Sequence, residues 1–227
     1  MKVLFFILMS AFVFGQYVAP LSIRINNDSI LLNKDNFEKN LLNEKICKNI
    51  LLDYSIVNTS NKDYAIVVDK EFFLVYEDVN FLSYLQPTDN LLVKQIFQPA
   101  ILIKSNNQII NTGFSDDGYY FRNLPTAKKV INNNIAVVKA NSEYRIKTKI
   151  SLPINNNNIK SGTFSQQIFL SIVSQGLTEG LLSLILRQDS TVIEKNINKS
   201  TKEKFRRKGI IFYDDLIYSN EIPLYVK

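Results

Sequence analysis

The sequence predicts an all-β protein, an elaborated β-sandwich with one or two short helices. Apolar and polar residues alternate with a period of two in about a dozen short segments, and turn-forming residues separate those segments. The composition agrees, because 46% of the residues are hydrophobic and 21% are charged, as in globular domains. Residues 16–227 are expected to form one sandwich domain, with two tandem sandwich domains as the alternative.

The first 15 residues, MKVLFFILMSAFVFG, are predicted to be a secretory signal peptide. Lys2 precedes an apolar stretch over residues 3–14, and Val13 and Gly15 provide the compact side chains that cleavage requires. A membrane-spanning helix needs about 20 apolar residues, so this stretch is too short to be an anchor. The mature chain is therefore expected to begin at Gln16, to have no transmembrane segment and to be secreted or periplasmic.

The first elements of the mature chain are a strand over residues 21–25 and a short helix over residues 36–46. The helix is predicted because apolar residues recur at helical spacing, and because Asp35 and Glu38 stand at the distance of a capping box.

Two long alternating runs are predicted to pair as antiparallel strands. The first is ICKNILLDYSIVN at 46–58, and the second begins with YAIVVD at 64–69, after the turn NTSNKD at 58–63. The apolar side chains expected on one face of the first run are Ile46, Ile50, Leu52, Tyr54 and Ile56. Further strands are predicted at residues 72–76, 91–97, 100–103, 108–110, 135–139, 144–150, 166–173, 181–187, 192–197, 210–213 and 221–226.

A second short helix is predicted over residues 201–208 and carries a cluster of basic residues. Ser200 and Glu203 stand at capping-box spacing, and Gly209 stands where a C-terminal cap is expected. Lys202, Arg206 and Lys208 are candidate binding residues for the phosphate groups of an anionic surface. The alternative is that cations in the last helical turn simply favour the helix dipole and remain solvated.

The residue counts exclude several classes of active site. The chain contains no His, which rules out Ser-His-Asp and Cys-His catalysis and His-ligated metals within this chain. Cys47 is the only cysteine, which rules out an intrachain disulfide and Cys-rich metal sites. It is expected to be a small buried residue, or alternatively to form an intermolecular disulfide. No cofactor and no metal site are predicted.

Three segments carry a resemblance to known proteins: LLDYSIVNTSNKDYAIVVD at 51–69, EYRIKTKISLP at 143–153 and YSNEIPLYV at 218–226. They resemble strands of immunoglobulin-like domains of secreted bacterial proteins, which implies an immunoglobulin-like β-sandwich. The paired cysteines and the Trp of antibody-type domains are missing, so the implied kinship is architectural. The chain is also similar in length and charge to periplasmic pilus chaperones, which hold a subunit's carboxylate with an Arg and a Lys. Arg24 matches the position of such an Arg, but no second motif accompanies it.

An acidic and aromatic segment is the other candidate binding site. It contains Asp116, Asp117, Tyr119, Tyr120 and Phe121. Exposed aromatic rings beside carboxylates suit contact with a sugar or a protein. The alternative is an ordinary Asp-Gly hairpin whose aromatic rings pack on the core.

Adjacent carboxylates occur at Asp116 with Asp117 and at Asp214 with Asp215. Glycoside hydrolysis uses two carboxyl groups about 5–10 Å apart across a sugar. Adjacent residues of a strand point to opposite faces, so neither pair makes such a site alone and both are interpreted as turn-forming or solvated acids.

These observations predict a non-catalytic secreted or periplasmic protein that recognises a protein or glycan surface. The partner is unknown; an anionic surface is compatible with the +6 net charge, and export argues against nucleic acid. One alternative is an assembly factor or chaperone-like component of a surface structure, which would present an exposed edge strand. Another is a carboxylate-based hydrolase, which would bring together two acids from separate strands.

Overall fold

Fourteen strands and three short helices lie in the described part of the chain, which confirms the all-β class. The structure is a computed structural model that describes residues 19–33, 37–39, 45–70, 73–75, 97–106, 108–110, 126–152 and 178–227. The predicted signal peptide at 1–15, the strand at 166–173 and most of the strand at 91–97 lie outside these residues. The side chain of Cys47 lies outside them as well.

The strands are β1 (Leu21–Ile25), β2 (Ile30–Leu32), β3 (Phe37–Lys39), β4 (Lys45–Asn58), β5 (Tyr64–Val67), β6 (Leu74–Val75), β7 (Ala100–Ser105), β8 (Gln108–Ile110), β9 (Ile135–Val138), β10 (Ser142–Leu152), β11 (Glu179–Arg187), β12 (Ile211–Phe212), β13 (Leu216–Tyr218) and β14 (Ile222–Val226). The helices are α1 (Ala127–Asn134), α2 (Ser190–Asn196) and α3 (Lys199–Arg207).

The first sheet is antiparallel and is centred on β4. Strand β10 pairs with one edge of β4, while β1 and β3 pair with the other. Leu52, Tyr54 and Ile56 are fully buried, as the alternating pattern predicts. Beyond Ile50 the register shifts at a β-bulge, because Lys48 and Asn49 of β4 lie opposite the single residue Ser151 of β10, and Asn49 has a φ of +59°. The side chains of residues 45–48 lie outside the described residues, so the predicted position of Ile46 on this face stays a prediction.

The second sheet is mixed and follows the order β2-β14-β11-β7-β6. Strands β14 and β13 pair with one edge of β11 and β7 with the other, while β8 pairs with β7. Two pairs of adjacent strands run parallel, β2 with β14 and β6 with β7. The amino-terminal segment therefore contributes β1 to the first sheet and β2 to the second.

The two sheets share one hydrophobic core. Buried side chains of β1, β4 and β10 meet those of β7, β11 and β14, for example Ile23, Tyr54, Ile101, Leu184 and Leu224. Burial of large apolar side chains contributes roughly 1.5–3 kcal/mol each, which makes this core the main source of stability.

In the third sheet, β12-β5-β9, the central strand β5 is buried on both faces. Ile66 and Val68 point into the shared core, whereas Ala65 and Val67 point to a second core beneath the helices. The helices supply Ile131, Ile193, Phe205 and neighbouring apolar residues to this second core. Continuous burial of β5 explains why its sequence, YAIV, is almost wholly apolar.

The predicted antiparallel pairing of the strands at 46–58 and 64–69 is wrong. Strand β5 pairs with β9 and β12, and β4 lies in another sheet. Asn58 is the physical cause, since its buried side-chain amide donates to the carbonyl oxygens of Lys62, Val138 and Lys139. These bonds tie the turn after β4 to the end of β9 and direct the chain away from a hairpin.

Two further predictions of local structure are wrong. Part of the predicted helix at 36–46 is strand β3, which pairs antiparallel with residues 45–47 of β4. Backbone pairing within a sheet overrides the weak preference of a single capping pattern. The predicted strand at 192–197 is largely helix α2, because the Asp189 carboxylate accepts a hydrogen bond from the Val192 N–H at 3.0 Å and caps a helix there.

Candidate functional site

Helices α1, α2 and α3 cover the third sheet, and we call them the helical layer. Thr126 caps α1 and Asp189 caps α2, each through a side-chain oxygen that accepts a backbone N–H. The N-cap residue of α3 is Asn198, two residues earlier than the predicted cap Ser200; the helix ends at Arg207, and Lys208 is its C-cap residue. Gly209 follows with φ of +66°, as the C-terminal prediction requires.

Helix α3 docks through one aromatic side chain. Phe205 is its buried residue, and its ring lies 5.9 Å from that of Phe212 in β12. A helix of nine residues is marginal by itself in water, so α3 depends on this contact.

Polar contacts fix the helices to one another. The Asn132 amide of α1 donates to the Asn196 carbonyl at 3.1 Å and accepts the Asn198 N–H at 2.9 Å. The Lys202 ammonium of α3 lies 2.7 Å from a carboxylate oxygen of Glu194 in α2. These contacts hold the three helices of the helical layer together.

The surface of the helical layer is strongly basic. Residues 127–134 and 190–208 contain nine Lys and Arg against two Glu, a net charge of +7 compared with +6 for the whole chain. All nine cations are exposed or half-exposed. We call this surface the basic face; its cations are Lys128, Lys129, Lys195, Lys199, Lys202, Lys204, Arg206, Arg207 and Lys208. The rest of the chain is close to neutral, so almost the entire long-range attraction for anions comes from here.

The structure brings the three predicted basic residues onto α3 and its cap but gives them different surroundings. Lys202 pairs with Glu194, whereas Arg206 and Lys208 are exposed and form no ion pair within the described residues. Lys202 and Arg206 share a flank of the helix, as their spacing predicts. Lys204 is also exposed and has no ion pair in the described ranges.

The other predicted binding residues, Asp116, Asp117, Tyr119, Tyr120 and Phe121, lie outside the described residues. Asp214 and Asp215 are described and exposed. The Asp214 carboxylate accepts the Ser190 N–H at 3.0 Å, and that of Asp215 accepts the Leu216 N–H at 2.7 Å. Asp214 therefore contacts the first residue of α2, and the exposure of both acids agrees with their interpretation as turn-forming or solvated residues.

A carboxylate network lies on the outer face of the first sheet. The Asp53 carboxylate accepts two hydrogen bonds from Arg145, at 2.8 and 2.6 Å, and one from Asn26 at 2.9 Å. The Arg145 hydrogen bonds hold the pKa of Asp53 well below its usual range. Lys139 and the Ala140 N–H likewise lower the pKa of Asp63. A glycosidase general acid requires a raised pKa, so neither group supports the hydrolase alternative.

Asp53→Asn is expected to lower the free energy of unfolding by about 1–2 kcal/mol at neutral pH, because it weakens a charge-assisted network. The folded pKa lies below the ordinary value of 3.8, so this stability is fully present above that value and is lost as the pH falls through the folded pKa. Urea unfolding across a pH series should show the difference between wild type and variant shrinking only under strongly acidic conditions. A constant difference across the series would contradict this assignment.

Two other surfaces bear on the assembly alternative. Leu31, Leu181 and Tyr225 are 53%, 42% and 40% exposed on the outer side of the second sheet, and Leu31 is the register partner of Tyr225. Strand β10 pairs only with β4 among the described strands. Arg24 lies on the outer face of the first sheet in an ion pair with Glu143, which differs from the carboxylate-binding cleft that the chaperone resemblance implies.

The basic residues of the first two helices are not among the binding residues that the sequence predicts. Lys128 and Lys129 belong to α1, and Lys195 belongs to α2. The sequence pattern that indicates α1 is Thr126, a capping residue, followed by apolar residues at helical spacing: Ala127, Val130 and Ile131.

No protein-family model matches the sequence, and comparisons with curated proteins and with solved structures found no similar protein. Among the described residues, no helix is long and apolar enough to cross a membrane. The same residues contain no group of three or more acidic or Cys side chains arranged to hold a metal ion.

Proposed function

We propose that this chain is a non-catalytic exported protein, secreted or periplasmic, that recognises the surface of a protein or glycan partner. The basic face is the recognition surface, and its partner carries negative charge. The observation that carries the proposal is the concentration of a net +7 charge in the helical layer, while the remainder of the chain is close to neutral.

Rigidity supports a role for this charge beyond solvation. Placing nine cations on one layer costs electrostatic self-repulsion, which a bound anion relieves. The Asn132 and Glu194 contacts hold the three helices together. A preorganised surface loses less conformational entropy on binding than a flexible tail.

Chemistry and chain architecture support recognition over catalysis. The sequence has no His, and the lowered pKa values of Asp53 and Asp63 do not suit acid catalysis. We also propose that the two main sheets form an immunoglobulin-like sandwich. In support, the amino-terminal segment passes from one sheet to the other and β2 runs parallel to the last strand, β14. Export is supported by the signal-peptide pattern of residues 1–15.

An assembly factor or chaperone-like component is the second candidate. The exposed side chains of Leu31, Leu181 and Tyr225 favour it, and so does the long strand β10, which pairs only with β4 among the described strands, since such features suit docking of another protein. This candidate does not need the basic face.

Two triple variants with equal net charge test the proposal. The face variant is Lys204→Gln, Arg206→Gln, Lys208→Gln, and the control variant is Lys62→Gln, Lys149→Gln, Lys227→Gln at exposed positions elsewhere. On immobilised heparin the face variant should elute at clearly lower salt than wild type, because it loses clustered cations. The control variant should elute close to wild type.

The free energy of unfolding of both variants shows whether the comparison is valid. Exposed charges contribute little to stability, so both variants should unfold within about 1 kcal/mol of wild type. Equal loss of retention in the two variants would show that only net charge matters and would contradict the basic face as a recognition surface.

A further inference from the structure

We infer that the basic face binds a linear, water-soluble polyanion, an acidic polysaccharide with repeated carboxylate, sulfate or phosphate groups, in preference to a bilayer surface. This inference rests on the proposed function and names the class of partner. It follows from the positions of the cations around the axis of α3 and from the residues that lie between the two flanks.

The cations of α3 lie on both flanks of the helix. Residues two positions apart are separated by about 160° around a helix axis, so Lys202 and Lys204 lie on nearly opposite sides of α3. Arg206 follows Lys202 on one flank, and Lys208 follows Lys204 on the other. Phe205 marks the side that faces the protein. Cations on opposite flanks cannot converge on one small anion, but several groups of a flexible chain can reach both flanks.

The outermost line of α3 is the part that a flat surface would touch first. Opposite the buried side of Phe205 lie Glu203 and Arg207, whose side chains are 47% and 79% exposed and whose charged groups are 4.0 Å apart. A flat anionic surface therefore meets a carboxylate and a partly compensated guanidinium before it meets Lys204 or Arg206. A flexible chain can reach the cations of the flanks without lying along the line of Glu203 and Arg207.

Apolar groups that would enter a bilayer are missing from the described helices. Helices that lie in membrane interfaces insert large apolar residues between the lipid headgroups. The large apolar residue of α3, Phe205, is buried in the protein, and none of the exposed large apolar side chains belongs to α1, α2 or α3. Exposed polar groups at Asn198 and Ser200 stand beside Lys199, where they can bond to sugar hydroxyls.

The dimensions of the face match a short stretch of polymer. Helix α3 is nine residues long, which corresponds to about 13 Å. Lys128 and Lys129 of α1 extend the cationic surface beyond it, since Asn132 joins α1 to the start of α3. The affinity per binding site should thus rise with the length of the anionic chain until the chain covers the face. Longer chains should gain no further affinity per site.

The test compares three probes at about 0.1 M salt, where the Debye length is near 10 Å. The probes are inorganic sulfate, short dextran sulfate and vesicles that contain phosphatidylglycerol in phosphatidylcholine, with titrations expressed per accessible negative charge. Wild type should bind dextran sulfate at least about tenfold more tightly than either other probe. The face variant should lose at least about tenfold of that affinity, and the control variant less than about twofold, because charges outside the contact are screened.

Each remaining outcome identifies what has failed. Vesicle binding as tight as polymer binding, and lost in the face variant, would overturn the polysaccharide assignment while the proposed function stands. Sulfate binding as tight as polymer binding would overturn it in favour of a small-anion site. Polymer binding that is equal in the face and control variants would overturn the proposed function itself.

Discussion

Gln188→Met is expected to lower the free energy of unfolding by about 3 kcal/mol, because two buried backbone groups lose their hydrogen-bond partners. The Gln188 side chain is 2% exposed; its Oε1 accepts the Val67 N–H and its Nε2 donates to the Val67 carbonyl, both at 2.8 Å. Strand β12 pairs with β5 only at Tyr64 and Ala65, so this amide continues the edge of the third sheet where β12 has ended. Met preserves most of the volume and removes the polar groups.

Chemical denaturation of wild type, Gln188→Met and Gln188→Ala measures this effect. Gln188→Met should show most of the loss in the free energy of unfolding. Gln188→Ala should be less stable still, because the smaller side chain leaves a cavity. Hydrogen exchange should show faster exchange of the Val67 amide in both variants. A Met variant within about 0.5 kcal/mol of wild type would contradict a structural role for these hydrogen bonds.

Phe205→Ala is expected to unfold α3 and to weaken anion binding without any change of net charge. Truncation of a buried Phe costs about 3–5 kcal/mol, which exceeds what a nine-residue helix can supply by itself. Circular dichroism should show reduced helix content, and retention on heparin should fall toward that of the face variant. The fall in retention is expected because a disordered segment pays an ordering cost on binding.

Phe205→Leu is the matched control for this prediction. Leu keeps an apolar side chain in the second core, so helix content and heparin retention should stay close to wild type. If Phe205→Ala lost the helix but kept full retention, the fixed arrangement of cations would have no part in binding. That result would show that this segment binds through its charge alone and not through the folded arrangement of the basic face.

Many of the strands could be predicted from the sequence, because the alternation of apolar and polar residues matches the alternation of buried and exposed side chains. In β4, Leu52, Tyr54 and Ile56 are fully buried, and in β14 Ile222, Leu224 and Val226 are buried while Tyr225 is exposed. Strand pairing was harder, because a side chain decided it. The Asn58 amide turns the chain out of the first sheet, and nothing in the period-two pattern indicates that hydrogen bond.

The candidate site was predicted only in part. The basic segment around Lys202, Arg206 and Lys208 was visible because it is continuous in sequence. Lys128 and Lys129 join it only through contacts between residues about 65 positions apart, such as Asn132 with Asn198. The β-branched residues Thr191, Val192 and Ile193 favoured a strand, and the Asp189 cap outweighed that preference. Long-range contacts of this kind leave no periodic signal in a single sequence.

In the proposed function a folded cationic surface contacts the partner, and net charge alone does not account for binding. Mapping of amide ¹H–¹⁵N chemical shifts during titration with short dextran sulfate tests it most directly, because it locates the contact on the intact protein. We expect the largest shifts to fall within residues 127–134 and 190–208 and to be lost in the face variant but not in the control variant. Shifts centred on the outer side of the second sheet or on β10, or spread evenly over exposed Lys residues, would contradict it.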